Sequence, residues 1–240
     1  MSRRAIHPGV IVLYNASERV LRGEPRDLIA EQGVIACAGA VAGALRALGH
    51  HVLELPLRGD VELALAGYSP AEWVVFNLAE GLDGRMFEEA RIAWTLEAMG
   101  FCFTGAPGDA LALTSHKART KSLLAAWGLP TPRWWTFRHP DEAPAALPAE
   151  GRPALIVKPV AEDGSIGLDD GAVVCSPAEL RSRVDYVAQR YHQVALVEEF
   201  IAGREFNVSL WSDPPAALPL AEVDFSAIPE RERRIVSYAA

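Results

Sequence analysis

The sequence predicts an α/β chain, with a parallel-sheet domain over about the first hundred residues and α+β character in the central and C-terminal parts. Three observations predict this. Up to residue 105, short apolar runs alternate with helix-length segments closed by glycine, the rhythm of strand–helix–strand units. Beyond about residue 130, strand-like runs dominate, and tight connections such as Ala202-Gly203-Arg204 favour antiparallel pairing. Half of the 240 residues are hydrophobic, enough for a sizeable core in one unit of two or three subdomains.

The elements follow in order. Gly9 to Tyr14 is an apolar run that suits a buried parallel strand, and a polar loop follows it. Glu31 to Leu48 reads as a helix closed by Gly49. His51 to Leu55 and Trp73 to Asn77 read as the second and third strands, and Arg85 to Met99 as a helix stopped by Gly100. Ligands of such sheets gather at the carboxyl ends of the strands, here near Asn15 and the segment Asn77 to Gly81. Ser115 to Trp127 is a helix with Lys117 and Lys121 one turn apart, and Gly128-Leu-Pro130-Thr-Pro132 ends it. Trp134-Trp135 opens a strand and is expected to pack on the core. His139 to Pro153 is a loop with a short helix. Ala154 to Pro159 and Ala172 to Cys175 are strands, and Pro177 to Tyr191 is a helix with proline in its first turn. Val194 to Ile201, Glu205 to Trp211 and Leu218 to Phe225 complete the expected strands. Domains are expected at 1–105, 106–197 and 198–240.

Composition narrows the function. The net charge is −8 with no dense Lys/Arg stripe, which argues against nucleic acid as the main partner. The longest small-apolar run, Val34 to Leu45, is too short to span a bilayer, and the basic N-terminus lacks a signal-peptide apolar core. A cytoplasmic protein without membrane contact is expected. Cys37, Cys102 and Cys175 lack metal-ligand spacing and lie in apolar stretches, so buried free thiols are expected. His50-His51 has no other ligand nearby in sequence, and Glu230 to Arg234 reads as a solvated turn or a cover over a site.

The chemistry concentrates in three places. Lys158 ends four apolar residues, where an ammonium needs an anionic partner or an exposed strand end. Glu162-Asp163-Gly164-Ser165-Ile166-Gly167 follows directly, either as an ordinary turn or as a loop whose N–H groups approach phosphate. Val197-Glu198-Glu199-Phe200-Ile201-Ala202-Gly203-Arg204-Glu205-Phe206 places one carboxylate at a strand end and another beyond a glycine turn. That pattern suits a charged hairpin edge, or recognition of an adenine amino group and ribose hydroxyls.

Taken together, Lys117 in His-Lys-Ala-Arg-Thr-Lys, Gly128-Leu-Pro-Thr-Pro132, Ile156-Val-Lys-Pro159, the Asp163-Gly-Ser-Ile-Gly167 loop and the Val197 to Phe206 segment resemble the ATP-grasp enzymes. Asn77 to Gly81 and Phe103-Thr104-Gly105 lie where D-alanine–D-alanine ligases and their relatives have equivalent stretches. The resemblance covers about residues 73–225. It implies an ATP-grasp fold with an N-terminal Rossmann-like parallel-sheet domain, and the last domain only begun. It further implies that Lys117 and Lys158 contact the α- and β-phosphates of ATP. Gly164 and Ser165 would belong to the loop over the triphosphate, Glu198 and the backbone at Phe200 and Ile201 would read adenine, and Glu205 would hold the ribose. Glu18, in a loose echo of the family's Ser-Ala-Glu, Glu31 and Glu80 are candidates for binding small amino-acid-like substrates. The implied activity is an ADP-forming carboxylate–amine ligase acting through an acylphosphate, with a homodimer as a candidate assembly. No catalytic residue is assigned. The family's Asp/Glu/Asn cluster for Mg²⁺ is expected beyond residue 240, so the chain reads as a fragment, and the alternative is a non-catalytic nucleotide-binding or scaffold protein.

Overall fold

The computed structural model describes residues 8–16, 24, 28–80, 86–147, 154–212, 214–228 and 234–236, with backbone alone at 28–32 and 212. Glu18 and residues 229–233 lie outside the described residues, as does the side chain of Glu31. Two compact units emerge, Met1–Trp127 with Ala161–Ile166, and Gly128–Val160 with Gly167–Ala240.

The first unit is built on a parallel sheet in the order β2-β1-β3, from β1 (Gly9–Asn15), β2 (Val52–Leu57) and β3 (Trp73–Leu78). Central β1 is apolar from Val10 to Leu13 because both of its faces are covered. Ile11 and Leu13 point into a cluster with Leu57, Val75, Ile92 and Leu96, while Val12 meets Ala38 and Ala42 of α1 (Leu28–Ala47) on the other side. Small residues on α1 let it lie close to the strands, and full burial of Ile11 and Leu13 stabilises the unit by about 1.5–3 kcal/mol each. Two short helices escape the sequence reading. The five-residue α2 (Val61–Leu65) is capped by Asp60, which accepts from Leu63 N–H at 3.0 Å, and α4 (Gly108–Thr114) follows α3 (Glu88–Ala98). Ser115 therefore closes α4, and α5 (Lys117–Ala126) starts two residues later than its apolar pattern suggests.

The second unit holds an antiparallel sheet in the order β4-β7-β5-β6, from β4 (Trp134–Phe137), β5 (Leu155–Pro159), β6 (Val173–Val174) and β7 (Ala195–Glu199). Its helix α6 (Pro177–Tyr191) spans the predicted residues, and its start is signalled locally. Ser176 accepts from Glu179 N–H, Glu179 reaches back to Ser176 N–H, and Pro177 supplies a preset φ. Ser176→Ala is expected to lower stability by about 1 kcal/mol, measured as a shift of the urea midpoint. Leu180, Val184 and Val187 of α6 pack on Leu155, Val157 and Val197; of the Trp134-Trp135 pair expected on the core, half-buried Trp135 packs against this cluster and Trp134 does not.

Of the last two predicted strands, Glu205 to Trp211 divides into β8 (Phe206–Asn207) and β9 (Leu210–Ser212) and Leu218 to Phe225 keeps β11 (Ala221–Glu222), while the unpredicted β10 (Pro215–Ala217) forms between them. They pair antiparallel as β8 with β11 and β9 with β10. The three cysteines correct the sequence reading: Cys37, Cys102 and Cys175 are free, but all are exposed. Cys37 falls off the buried stripe of α1, and Cys102 and Cys175 lie outside the strands and helices.

Candidate nucleotide site

In the first unit, Lys117 is the first residue of α5. His116 caps that helix, its Nδ1 accepting from Arg119 N–H at 3.3 Å, and no acidic residue occupies the first turn. Acceptance requires an unprotonated Nδ1. Burial, then the nearby Arg119, hold the His116 imidazole below its ordinary pKa, and Lys117 acts in the same direction. Lys117 and Arg119 thus stand at the positive end of the helix dipole, an arrangement that an anion relieves. Arg119 lies over the Phe87 ring at 5.3 Å.

The carboxyl ends of β1 and β3 are tied together by side chains. Buried Asn15 accepts from Glu80 N–H at 3.1 Å, Asn77 accepts from Ala79 N–H, and Thr104 Oγ1 accepts from Asn77 N–H at 3.0 Å. Glu80 is therefore held at the strand ends, the position expected of ligand contacts in such a sheet. Residues 161–166 group with this unit, and Ile166 N–H donates to Asp163 O at 2.8 Å. Gly164 and Ser165 have φ of 51° and 65°, so the backbone turns through two left-handed residues in succession.

Glu89, on α3, is a group that sequence reasoning missed. It is half-buried, and its carboxyl is pushed up to about 7, by burial first and then by the charges of Asp163, Glu80 and Glu162, with Lys117 opposing. A glutamate in the first turn of a helix looks like an ordinary dipole partner. Only the fold brings the other carboxylates beside it.

In the second unit, Lys158 of β5 pairs with Glu198 of β7. The register explains the meeting. Lys158 lies opposite Leu196 and Glu198 opposite Ile156, so the two charged residues are diagonal neighbours on one face. This is the face turned away from α6. Phe200 packs with Ile156, Ala172 and Ile235, Ile156 sharing that face. Glu198 is buried, and the pairing answers the question left open for Lys158: the ammonium at the end of an apolar strand has a carboxylate partner. Glu199, one residue on, turns away and binds Arg133 at 2.6 Å.

Beyond the strand, Ile201 is exposed and Glu205 lies exposed at the approach to β8, its carbonyl accepting from Val223 N–H at 2.9 Å. Its neighbour Arg204 makes a two-point ion pair with Glu222 and lies over the Phe206 ring at 4.7 Å. A groove of about 370 Å³ in this unit is lined by Arg204, Glu222, Asp224, Phe225 and Arg234 among others, and by none of the predicted ATP residues. The structure thus joins Lys158 to Glu198, sets Phe200 on a shared cluster, and leaves Ile201 and Glu205 open to solvent.

Residues 123–229 match the family described as D-ala D-ala ligase C-terminus. An uncharacterized protein of Sinorhizobium fredii, y4sG, is 32% identical over 210 residues, covering 85% of this chain and 59% of that protein. The D-alanine–D-alanine ligase of Acidiphilium cryptum is 32% identical over 189 residues, covering 79% of this chain and 59% of the relative. The chain thus spans about three-fifths of the length of these relatives. Among solved structures, the D-alanine–D-alanine ligase of Bacillus anthracis complexed with ATP superposes with a TM-score of 0.67 at 17% identity, covering 92% of this chain and 67% of that one. At that identity the likeness speaks for the fold. No helix among the described residues is long and apolar enough to cross a membrane. The chain resembles the D-alanine–D-alanine ligases and has the α/β architecture of the ATP-grasp fold.

Proposed function

We propose that this chain supplies the ATP-binding part of an ADP-forming carboxylate–amine ligase that joins amino acids or similar small substrates through an acylphosphate. The observation that carries the reading is the Lys158–Glu198 pair on the face of the second unit's sheet turned away from α6, inside the segment that matches the ligase family. A cation, a carboxylate at a strand end and the Phe200 ring on the same cluster are groups suited to a phosphate, an adenine amino group and an aromatic base. Lys117, at the start of a helix whose first turn holds no acidic residue, is suited to a second phosphate contact, Gly164 and Ser165 to the loop over it, and Glu205 to the ribose. Fixed cations contribute by neutralising charge and holding the phosphoryl group in position. Glu80 is proposed to meet an amino-acid substrate, and Glu18 and Glu31 remain candidates for the same task.

Among the described residues, no group of three His, Cys, Asp or Glu side chains is placed to hold a metal ion. The roles proposed are therefore those of the chain's own residues, without a step through Mg²⁺. Exposed free thiols fit a reducing, cytoplasmic setting, and a homodimer is proposed as the assembly to test by light scattering.

Calorimetric titration of the 240-residue chain with ATP is the decisive experiment. Saturable binding between micromolar and millimolar Kd, about 4–8 kcal/mol, is expected. Absence of binding at millimolar ATP overturns the reading. ADP release that requires both an amino acid carboxylate and an amine supports the ligase, whereas binding without turnover favours the non-catalytic nucleotide-binding alternative.

A further inference from the structure

The buried side of α6 consists of Leu180, Val184, Val187 and Tyr191 together with one charged residue, Arg183, which is 7% exposed. One of its donors, Nε, has no hydrogen-bond partner. A buried guanidinium with an unsatisfied donor is poorer packing than an apolar side chain of that volume, so packing alone does not account for it. Its other donors converge on one stretch of chain. Nη2 donates to the Gly167 carbonyl and Nη1 to Asp169 Oδ1, both at 2.7 Å, and the Tyr186 ring at 4.2 Å fixes the guanidinium's orientation.

Gly167 is where the chain re-enters the second unit after the 161–166 loop. Its φ is 78°, and a Cβ there would stand 2.6 Å from the Pro159 ring. The residue at which the loop returns therefore touches the residue at which β5 ends. The departing side of the loop has its own anchor, Val160 N–H donating to the Val194 carbonyl at 3.0 Å. The returning side has Arg183, and Asp169 extends that hold. The same Oδ1 accepts from Gly171 N–H at 2.9 Å, and the Asp169 carbonyl accepts from Ala172 N–H at 2.8 Å.

We propose that Arg183 is a positioning residue for nucleotide binding: by holding Gly167 and Asp169 it sets where Gly164 and Ser165 stand, without itself touching the nucleotide. This rests on the proposed function, in which the 161–166 loop covers the phosphates. Backbone N–H groups bind phosphate best when they are already aimed, because ordering a loop on binding subtracts from the affinity.

Hydrogen exchange of the nucleotide-free chain and calorimetry with ATP test this together, at a temperature where every variant is folded. Arg183→Met keeps the length and apolar stem of the side chain but none of its donors. Protection of Ile166, Gly171 and Ala172 is expected to fall by about tenfold more than that of Val160, and ATP affinity by about tenfold. Arg183→Lys keeps the charge but cannot reach both Gly167 and Asp169 with a planar fork, so both effects should be intermediate. It carries the same test if Arg183→Met does not fold. Ser176→Ala, which weakens the start of the same helix, is the control and should leave ATP affinity and the ratio of Ile166 to Val160 protection unchanged. A uniform fall in protection, or an unchanged ATP affinity in Arg183→Met, reduces Arg183 to a structural residue and overturns the proposal while the nucleotide site stands. Absence of ATP binding by the wild-type chain overturns the proposed function instead, and the nucleotide role of Arg183 with it.

Discussion

Lys158→Met is expected to weaken ATP binding by about 10- to 100-fold, the loss of one charge-assisted contact of about 1.5–3 kcal/mol. The difficulty in reading such a result is that Lys158 also neutralises Glu198, a buried carboxylate on the neighbouring strand. Removing one partner of a buried pair leaves the other uncompensated, which costs about 3–5 kcal/mol when burial is complete. Lys158 keeps 22% side-chain exposure, so a smaller loss is expected here. The double variant Lys158→Met with Glu198→Gln separates the two effects. It removes both charges, so much of the stability should return, while ATP affinity should not. Melting and calorimetry on the wild-type chain and both variants check this. Full-affinity ATP binding by Lys158→Met would remove the lysine from the phosphate site.

The other large effect is structural. Arg183 of α6 is buried, donating to Asp169 at 2.7 Å and to the Gly167 carbonyl at 2.7 Å, and it stacks on Tyr186 at 4.2 Å. These contacts hold the stretch of chain that follows the 161–166 loop against the helix. Arg183→Ala removes both hydrogen bonds and the aliphatic packing, and Asp169, which still accepts from Gly171 N–H, loses its cationic donor. A loss of about 3 kcal/mol is expected, the low end for a broken buried pair because Asp169 retains some solvent. Gly167→Ala attacks the same corner from the backbone. Its φ is 78°, and an added Cβ would stand 2.6 Å from the Pro159 ring, so even alanine forces the chain to shift. Both variants should lower the urea midpoint strongly, and a change below about 1 kcal/mol in either would contradict the assigned role of this corner.

Much of the architecture was legible in local chemistry. Gly9 to Tyr14 could be read as a buried parallel strand because β1 is apolar on both faces, and α6 could be bounded to the residue because Ser176, Pro177 and Glu179 carry its start. Where local signals were weak, the reading strayed. Gly108–Thr114 has too few residues to establish a helical period, and it forms a helix through its packing on α3. The predicted strand from Glu205 to Trp211 is interrupted at Val208-Ser209, since alternation alone does not say where pairing stops.

The candidate residues divide in the same way. The sequence by itself determined which groups are available: a lysine ending an apolar strand, a glycine-containing loop, and two carboxylates flanking a turn, in an order that resembles the ATP-grasp ligases. Tertiary structure alone decided their partners. Register across β5 and β7 turns Lys158 toward Glu198, and strand alternation sends Glu199 to Arg133 instead. The packing of the first unit brings Glu80, Glu162, Asp163 and Lys117 within electrostatic reach of Glu89, whose carboxyl is pushed up to about 7 by burial and the acidic neighbours. Residue type and spacing are local properties carried by the chain, whereas burial and the charge of neighbours depend on residues far apart in sequence and exist only once the chain has folded.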